Sequence, residues 1–205
     1  IDRMKHNLSK KIFFYLIIFP IIGGCAYFNT FYNAKQYFND ANKIRLEKDG
    51  QAIPITAMDK YGKAIKKCKK VLEEFPDSKL KTDAILLMAK AQYYRADYDF
   101  ALDNLMDVSK IGSDNQKEET KYWRALCKWK KGNLQASIDE LNMLLSNSSS
   151  KSILSKCHLS LAEISKELNN QDLALFHLKK GASLTQERDE KGVIYGRLAE
   201  MAFEL

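Results

Sequence analysis

Residues 89–105 read AKAQYYRADYDFALDNL, and the same layout returns as ALCKWKKGNLQASIDEL (Ala125 to Leu141) and AEISKELNNQDLALFHL (Ala162 to Leu178). Each copy opens on Ala and places a small residue twelve positions later (Ala101, Ser137, Ala174), with a Leu four beyond that. A turn former lies between the two small residues: Ala96-Asp97, Gly132-Asn133 and Asn169-Asn170. Extended along the chain, Ala64, Ala101, Ser137 and Ala174 are spaced 37, 36 and 37. Ala89, Ala125, Ala162 and Ala199 are spaced 36, 37 and 37, and Cys68, Leu105, Leu141 and Leu178 are spaced 37, 36 and 37. Three registers in phase define a repeat. Its physical content is a helix hairpin: small side chains where two antiparallel backbones approach, and a large apolar residue one turn on to fill the next groove.

Composition agrees. The chain has 205 residues, 45% hydrophobic and 29% charged, with nine Gly and three Pro, so breakers are few and long helices are favoured over a strand-rich fold. Of the formal net charge of +7, Arg3, Lys5, Lys10 and Lys11 against Asp2 place +3 before Cys25 and leave +4 after it. Beyond that point Lys and Arg alternate with Asp and Glu as on a solvated helix face, and no nucleic-acid partner is implied.

Lys10 and Lys11 lead into IFFYLIIFPII (Ile12 to Ile22), an apolar run of the length of a secretory signal core and short for a membrane span. Ile22-Gly23-Gly24-Cys25 resembles the bacterial lipobox, in which an aliphatic and two small residues precede a cysteine that takes diacylglycerol. The reading is a signal peptide over 1–24, a lipidated linker over 25–31 from Cys25, and a helical repeat domain over 32–205. An uncleaved signal anchor extended through Ala26-Tyr27-Phe28 is the alternative; Gly23-Gly24 and Pro20 oppose it. Met4 is a plausible start, and Leu205 falls inside an amphipathic run, so the array is expected to continue past it. Tyr32 to Lys48 supplies a first helix, which Gln51-Ala52-Ile53-Pro54 breaks.

The repeat resembles the tetratricopeptide repeat. Pro76 in Glu74-Phe75-Pro76-Asp77-Ser78 sits where that family places its repeat-ending proline; later units carry Ser, Asn and Gly there, and the longer period points to slightly longer helices or loops. Tyr61 to Val108 is similar to outer-membrane lipoproteins of the BamD type, which also follow a lipidated cysteine with a linker, a helix and about five such hairpins. The resemblance implies an all-α, tetratricopeptide-like superhelix behind a lipoprotein signal peptide. It further implies a periplasm-facing outer-membrane scaffold that assists assembly of β-barrel proteins, its partners a barrel-assembly protein and unfolded barrel substrates. Ala26 fits that destination, since in proteobacterial lipoproteins an Asp at that place holds the protein in the inner membrane. A Tol- or peptidoglycan-associated adaptor is the second reading. A SusD-like glycan-binding lipoprotein is the third, disfavoured by short connections.

In such a superhelix the first helix of each hairpin lines a concave face. The register places Lys90, Tyr93 and Tyr94 there with Leu86, then Tyr122, Leu126, Trp129 and Lys130, then Leu159, Glu163 and Lys166. Rigid aromatics beside Lys suit a peptide segment, the Lys meeting a carboxylate, although aromatics at helical spacing also pack between repeats. The aromatic stretch Ala26 to Asn33 could lie on a membrane interface, cap the first hairpin or dock on a barrel partner.

Catalysis is not expected. His6, His158 and His177 are the only histidines, no phosphate loop exists, and neither a metal nor a cofactor is implied. Cys68, Cys127 and Cys157 show no metal-ligand spacing and read as small buried side chains, with one bridge from Cys68 left open.

Overall fold

Among the described residues three lie in the left-handed region, Ala96 (φ 62°), Gly132 (φ 87°) and Asn169 (φ 57°), and each stands at one of the expected turns. The hydrogen bonds around them repeat. Asp97 N–H reaches Gln92 O (2.9 Å) and Ala96 N–H reaches Tyr93 O (3.0 Å), and the same pair of bonds forms at Gly132 and at Asn169. This motif closes a helix by satisfying carbonyls that its last turn leaves open, and it reverses the chain within a few residues. The sequence therefore sets a hairpin bend every 36 or 37 residues.

The computed structural model describes residues 28–48, 51–185 and 188–203, and among them every regular element is helical. The helices are α1 (28–46), α2 (Ile55–Glu74), α3 (Lys81–Tyr94), α4 (Tyr98–Ile111) and α5 (Asp114–Lys130). There follow α6 (Leu134–Asn147), α7 (Lys151–Glu167), α8 (Gln171–Leu184) and α9 (Arg188–Phe203). Consecutive helices pack against each other from α2 to α9, and α3 also meets α5 and α5 meets α7. The result is the expected stack of antiparallel hairpins, α1/α2, α3/α4, α5/α6 and α7/α8, followed by α9. The added length lies in α5 and α7, which have 17 residues against 14 in α3, α4, α6 and α8.

The registers are the core. Ala64, Ala101, Ser137 and Ala174 are buried, as are Ala89, Ala125 and Ala162, and Cys68, Leu105, Leu141 and Leu178 fill the spaces beside them. Burying one such Leu is worth about 2 kcal/mol relative to exposure, which alone sets the phase of each hairpin. Ala199 departs from the pattern: it is exposed on α9.

Between hairpins the connections differ in chemistry. Ser113 forms a capping box with Gln116, whose side chain accepts from Ser113 N–H at 2.9 Å, and Ser150 caps α7 through Ile153 N–H. Pro54 precedes the first turn of α2, where its missing N–H is not needed.

The first helix begins at residue 28 rather than at Tyr32, and ends at residue 46 before a turn over 47–48. Phe31 explains the earlier start, since it is buried with Ala34 against Cys68, Val71, Ala84 and Met88, and the helix must extend past it to hold it there. The signal peptide over 1–24 and Cys25 with its lipid lie outside the described residues. Among the described residues no helix is long and apolar enough to cross a membrane.

Candidate partner-binding cavity

The odd helices line a concave cavity of about 250 Å³. Tyr93 and Tyr94 come from α3, Tyr122, Trp123, Leu126 and Trp129 from α5, and Lys156, Leu159, Ser160 and Glu163 from α7. Arg45 and Leu46 close it from α1, and Val193, Ile194 and Arg197 from α9. Five helices spread over 150 residues meet there because the repeat step turns each odd helix the same way around the superhelix axis.

Aromatic edges build the wall. Tyr94 stacks on Tyr61 (centroids 5.0 Å, interplanar 16°) and carries the Arg45 guanidinium on its ring at 4.6 Å. Tyr93 meets Trp123 edge-on at 5.3 Å, and Tyr122 does so at 5.5 Å. Edge-to-face contacts fix ring orientation, so the wall is preformed. Polar tips are satisfied both between hairpins and within one. The Tyr122 hydroxyl and Ser160 Oγ are 3.1 Å apart, and Tyr61 donates to Asn42 Oδ1 at 2.6 Å. Burial, reinforced by the neighbouring phenols of Tyr94, Tyr122 and Tyr98, pushes the Tyr93 phenol well above its ordinary range.

The seven residues expected on this face divide. Tyr93, Tyr94, Tyr122, Leu126 and Trp129 line the cavity, whereas Lys90 and Lys130 do not. Lys90 is held by Glu119 of α5 at 2.5 Å, and Glu119 also accepts from Trp123 Nε1 at 3.3 Å. Burial works to raise the Glu119 carboxyl, but the charge and hydrogen bond of Lys90, with Lys156 and Trp123, outweigh it and hold the group below its usual range. Lys130 pairs with Glu167 at 3.5 Å and lies over the Trp129 ring at 3.5 Å, and Trp129 Nε1 donates to Glu167 at 2.8 Å. These two lysines join α3 to α5 and α5 to α7. Their charge is spent on a carboxylate of the chain itself. Of the remaining inward residues Leu159 and Glu163 line the cavity, Leu86 is buried in the core, and Lys166 is exposed outside it.

Sequence reasoning missed Arg45, Trp123, Lys156, Ser160 and Arg197. A signal existed for three of them. Lys156 stands 37 residues after Glu119, Ser160 stands 37 after Trp123, and Arg197 stands 37 after Ser160, so two positions of the repeat, four residues apart, supply them. Lys156 makes no ion pair among the described residues, whereas Arg197 pairs with Glu163. Arg45 gave no signal, because the longer α1–α2 connection shifts the first hairpin out of register.

Elsewhere, His158 and His177 bring their Nδ1 atoms to 2.9 Å, and burial lowers the pKa of both, with the fields of His177 and Lys180 adding at His158. Cys68, Cys127 and Cys157 are free and buried, and burial pushes each thiol up to about 12.

No protein-family model matches the chain, and no curated protein is significantly similar to it in sequence. Among solved structures, that of MamA AMB-1 is similar at 16% identity over 77% of this chain and 92% of its own, with a TM-score of 0.40. So loose a likeness carries nothing about function.

Proposed function

We propose that this chain is a protein-binding scaffold of the bacterial envelope, lipid-anchored at Cys25 in the outer membrane, that assists assembly of β-barrel proteins. One observation carries the protein-binding part: the odd helices converge on a single aromatic-walled cavity whose volume suits one bulky side chain of a partner segment lying along the concave face. Preformed rings lose little freedom on binding, which favours recognition of a rigid anchor residue over a long contact. The anchor and the membrane rest on Ile22-Gly23-Gly24-Cys25 and on the BamD-type resemblance of Tyr61 to Val108.

The test is capture of the full-length chain from its own envelope beside a Trp129→Ala variant, with mass spectrometry of bound proteins and of the peptide bearing Cys25. A barrel-assembly protein recovered with the native chain and lost with the variant supports the scaffold. Tol- or peptidoglycan-linked proteins in its place would turn the reading to an adaptor. An unmodified Cys25 would remove the anchor.

A further inference from the structure

The charges that line the cavity do not cancel. Arg45, Lys156 and Arg197 stand against a single carboxylate, Glu163, so three cations less one anion leave an excess of two positive charges. The Lys90–Glu119 pair beside them is neutral as a unit and leaves that excess unchanged. Glu163 is paired with Arg197. Lys156 is near enough to Glu119 to help hold its carboxyl ionised, but Glu119 pairs at 2.5 Å with Lys90, so half-buried Lys156 has that counter-charge only at a distance. Arg45 is held on the uncharged face of the Tyr94 ring at 4.6 Å.

These cations come from opposite ends of the stack. Arg45 belongs to α1, Lys156 and Arg197 belong to α7 and α9, and the rings come from α3 and α5 between them. In helix order the lining therefore runs cation, aromatic wall, cations. Apolar walls limit the water that would screen these charges, and a cleft of one sign concentrates its field on whatever enters. A large apolar side chain of a partner suits the rings, and acidic neighbours on either side of it suit the cations. Tyr93 and Tyr122 both meet Trp123 edge to face, at 65° and 72°, so these rings form no run of parallel faces on which successive bases could stack.

We propose that the cavity recognises an internal acidic segment of a protein partner, a large apolar residue seated among the rings with Asp or Glu a few residues to either side, their carboxylates met by Lys156 and Arg45. The proposal rests on the cavity being the partner site and adds the chemistry of what it takes. It gives Lys156 the part that spacing assigns to Lys90 and Lys130, whose charges Glu119 and Glu167 already meet. A positive cleft speeds the encounter with an acidic segment, and its binding weakens as salt is added.

The test pans two random-peptide libraries against the full chain, one displayed within a carrier loop and one ending in a free carboxyl terminus, and measures the selected peptides by fluorescence anisotropy. The expected binders are loop-displayed, with an aromatic or large aliphatic residue between acidic neighbours. Replacing those acids by their amides should weaken binding about tenfold or more at low salt. Lys156→Gln, its helix content checked by circular dichroism, should cost the acidic peptide about fivefold and the amide peptide nothing, while Lys151→Gln changes neither. Binders that Trp129→Ala abolishes but that show no acidic enrichment would overturn this inference and leave the cavity as the partner site. Binders from the free-terminus library alone would put the carboxylate at a chain end and overturn the flanked arrangement. Binders indifferent to Trp129→Ala, or none from either library, would overturn the cavity reading and this inference together.

Discussion

His158 of α7 and His177 of α8 share a hydrogen bond between Nδ1 atoms 2.9 Å apart, and this bond can form only while at least one ring is neutral. Burial lowers the pKa of both imidazoles, and at His158 the neighbouring His177 and Lys180 lower it further. The folded state thus binds fewer protons than the unfolded one once the pH falls below the ordinary histidine range. Stability from the pair is fully present above the unfolded value of about 6.5 and is lost as pH falls through the lowered folded values. Urea unfolding of the full chain should show lower stability near pH 5 than near pH 7, and His158→Gln/His177→Gln should flatten that dependence. An unchanged slope in the double variant would remove the pair from the account.

Ala96 occupies a left-handed position that Gly132 fills one repeat later without strain, with φ values of 62° and 87°. An Ala there costs about 1 kcal/mol, partly offset because a Gly gains freedom in the unfolded chain. Ala96→Gly should therefore raise stability slightly, and Gly132→Ala should lower it by about 1 kcal/mol. Nothing within 4 Å would meet a Cβ added at Gly132, so its loss would report backbone strain alone. Thermal or urea unfolding of the two variants checks the opposite signs.

The hairpin fold was legible because small residues, turn formers and leucines each carry one physical requirement and repeat in phase. Asn169 could be read as a turn for the same reason as Gly132, both tolerating positive φ. The cavity was legible only in part. The repeat register located Tyr122, Leu126 and Trp129, but spacing alone does not tell which lysines a neighbouring repeat has already neutralised, as happens to Lys90 and Lys130. Glu119 and Glu167 decide that, and they act across helices that only the packed structure brings together. Arg45 lay beyond reach, since no residue near it follows the repeat.

Glu119 ties three side chains into one contact, accepting from Lys90 and Trp123 while most of its surface is covered. Glu119→Gln keeps the shape and removes the charge, leaving Lys90 partly buried beside a neutral amide. The expected loss is about 1–2 kcal/mol, smaller than for a fully buried pair because both groups keep some solvent. Because the carboxyl lies below its usual range in the fold, its stabilisation is present above the unfolded value and is lost as pH falls through the folded one. Urea midpoints of native and variant chains measured at neutral and acid pH should converge as the carboxyl is protonated. Parallel curves would show that charge is not what Glu119 contributes.

Cys68, Cys127 and Cys157 lie in the first, third and fourth hairpins, on α2, α5 and α7, each with no exposed surface. A thiol reacts as its thiolate, and burial raises each of these to about 12, so at neutral pH both access and ionisation oppose reaction. With Cys25 blocked or acylated, the folded chain should take up no alkylating reagent at neutral pH on the timescale in which a free thiol is consumed. Adding urea should release all three together, because Cys127 and Cys157 share one continuous core and the core of Cys68 adjoins it through Leu72. Stepwise release would mean that the first hairpin opens on its own, and the order of labelling, read by mass spectrometry, would identify which repeat interface yields first.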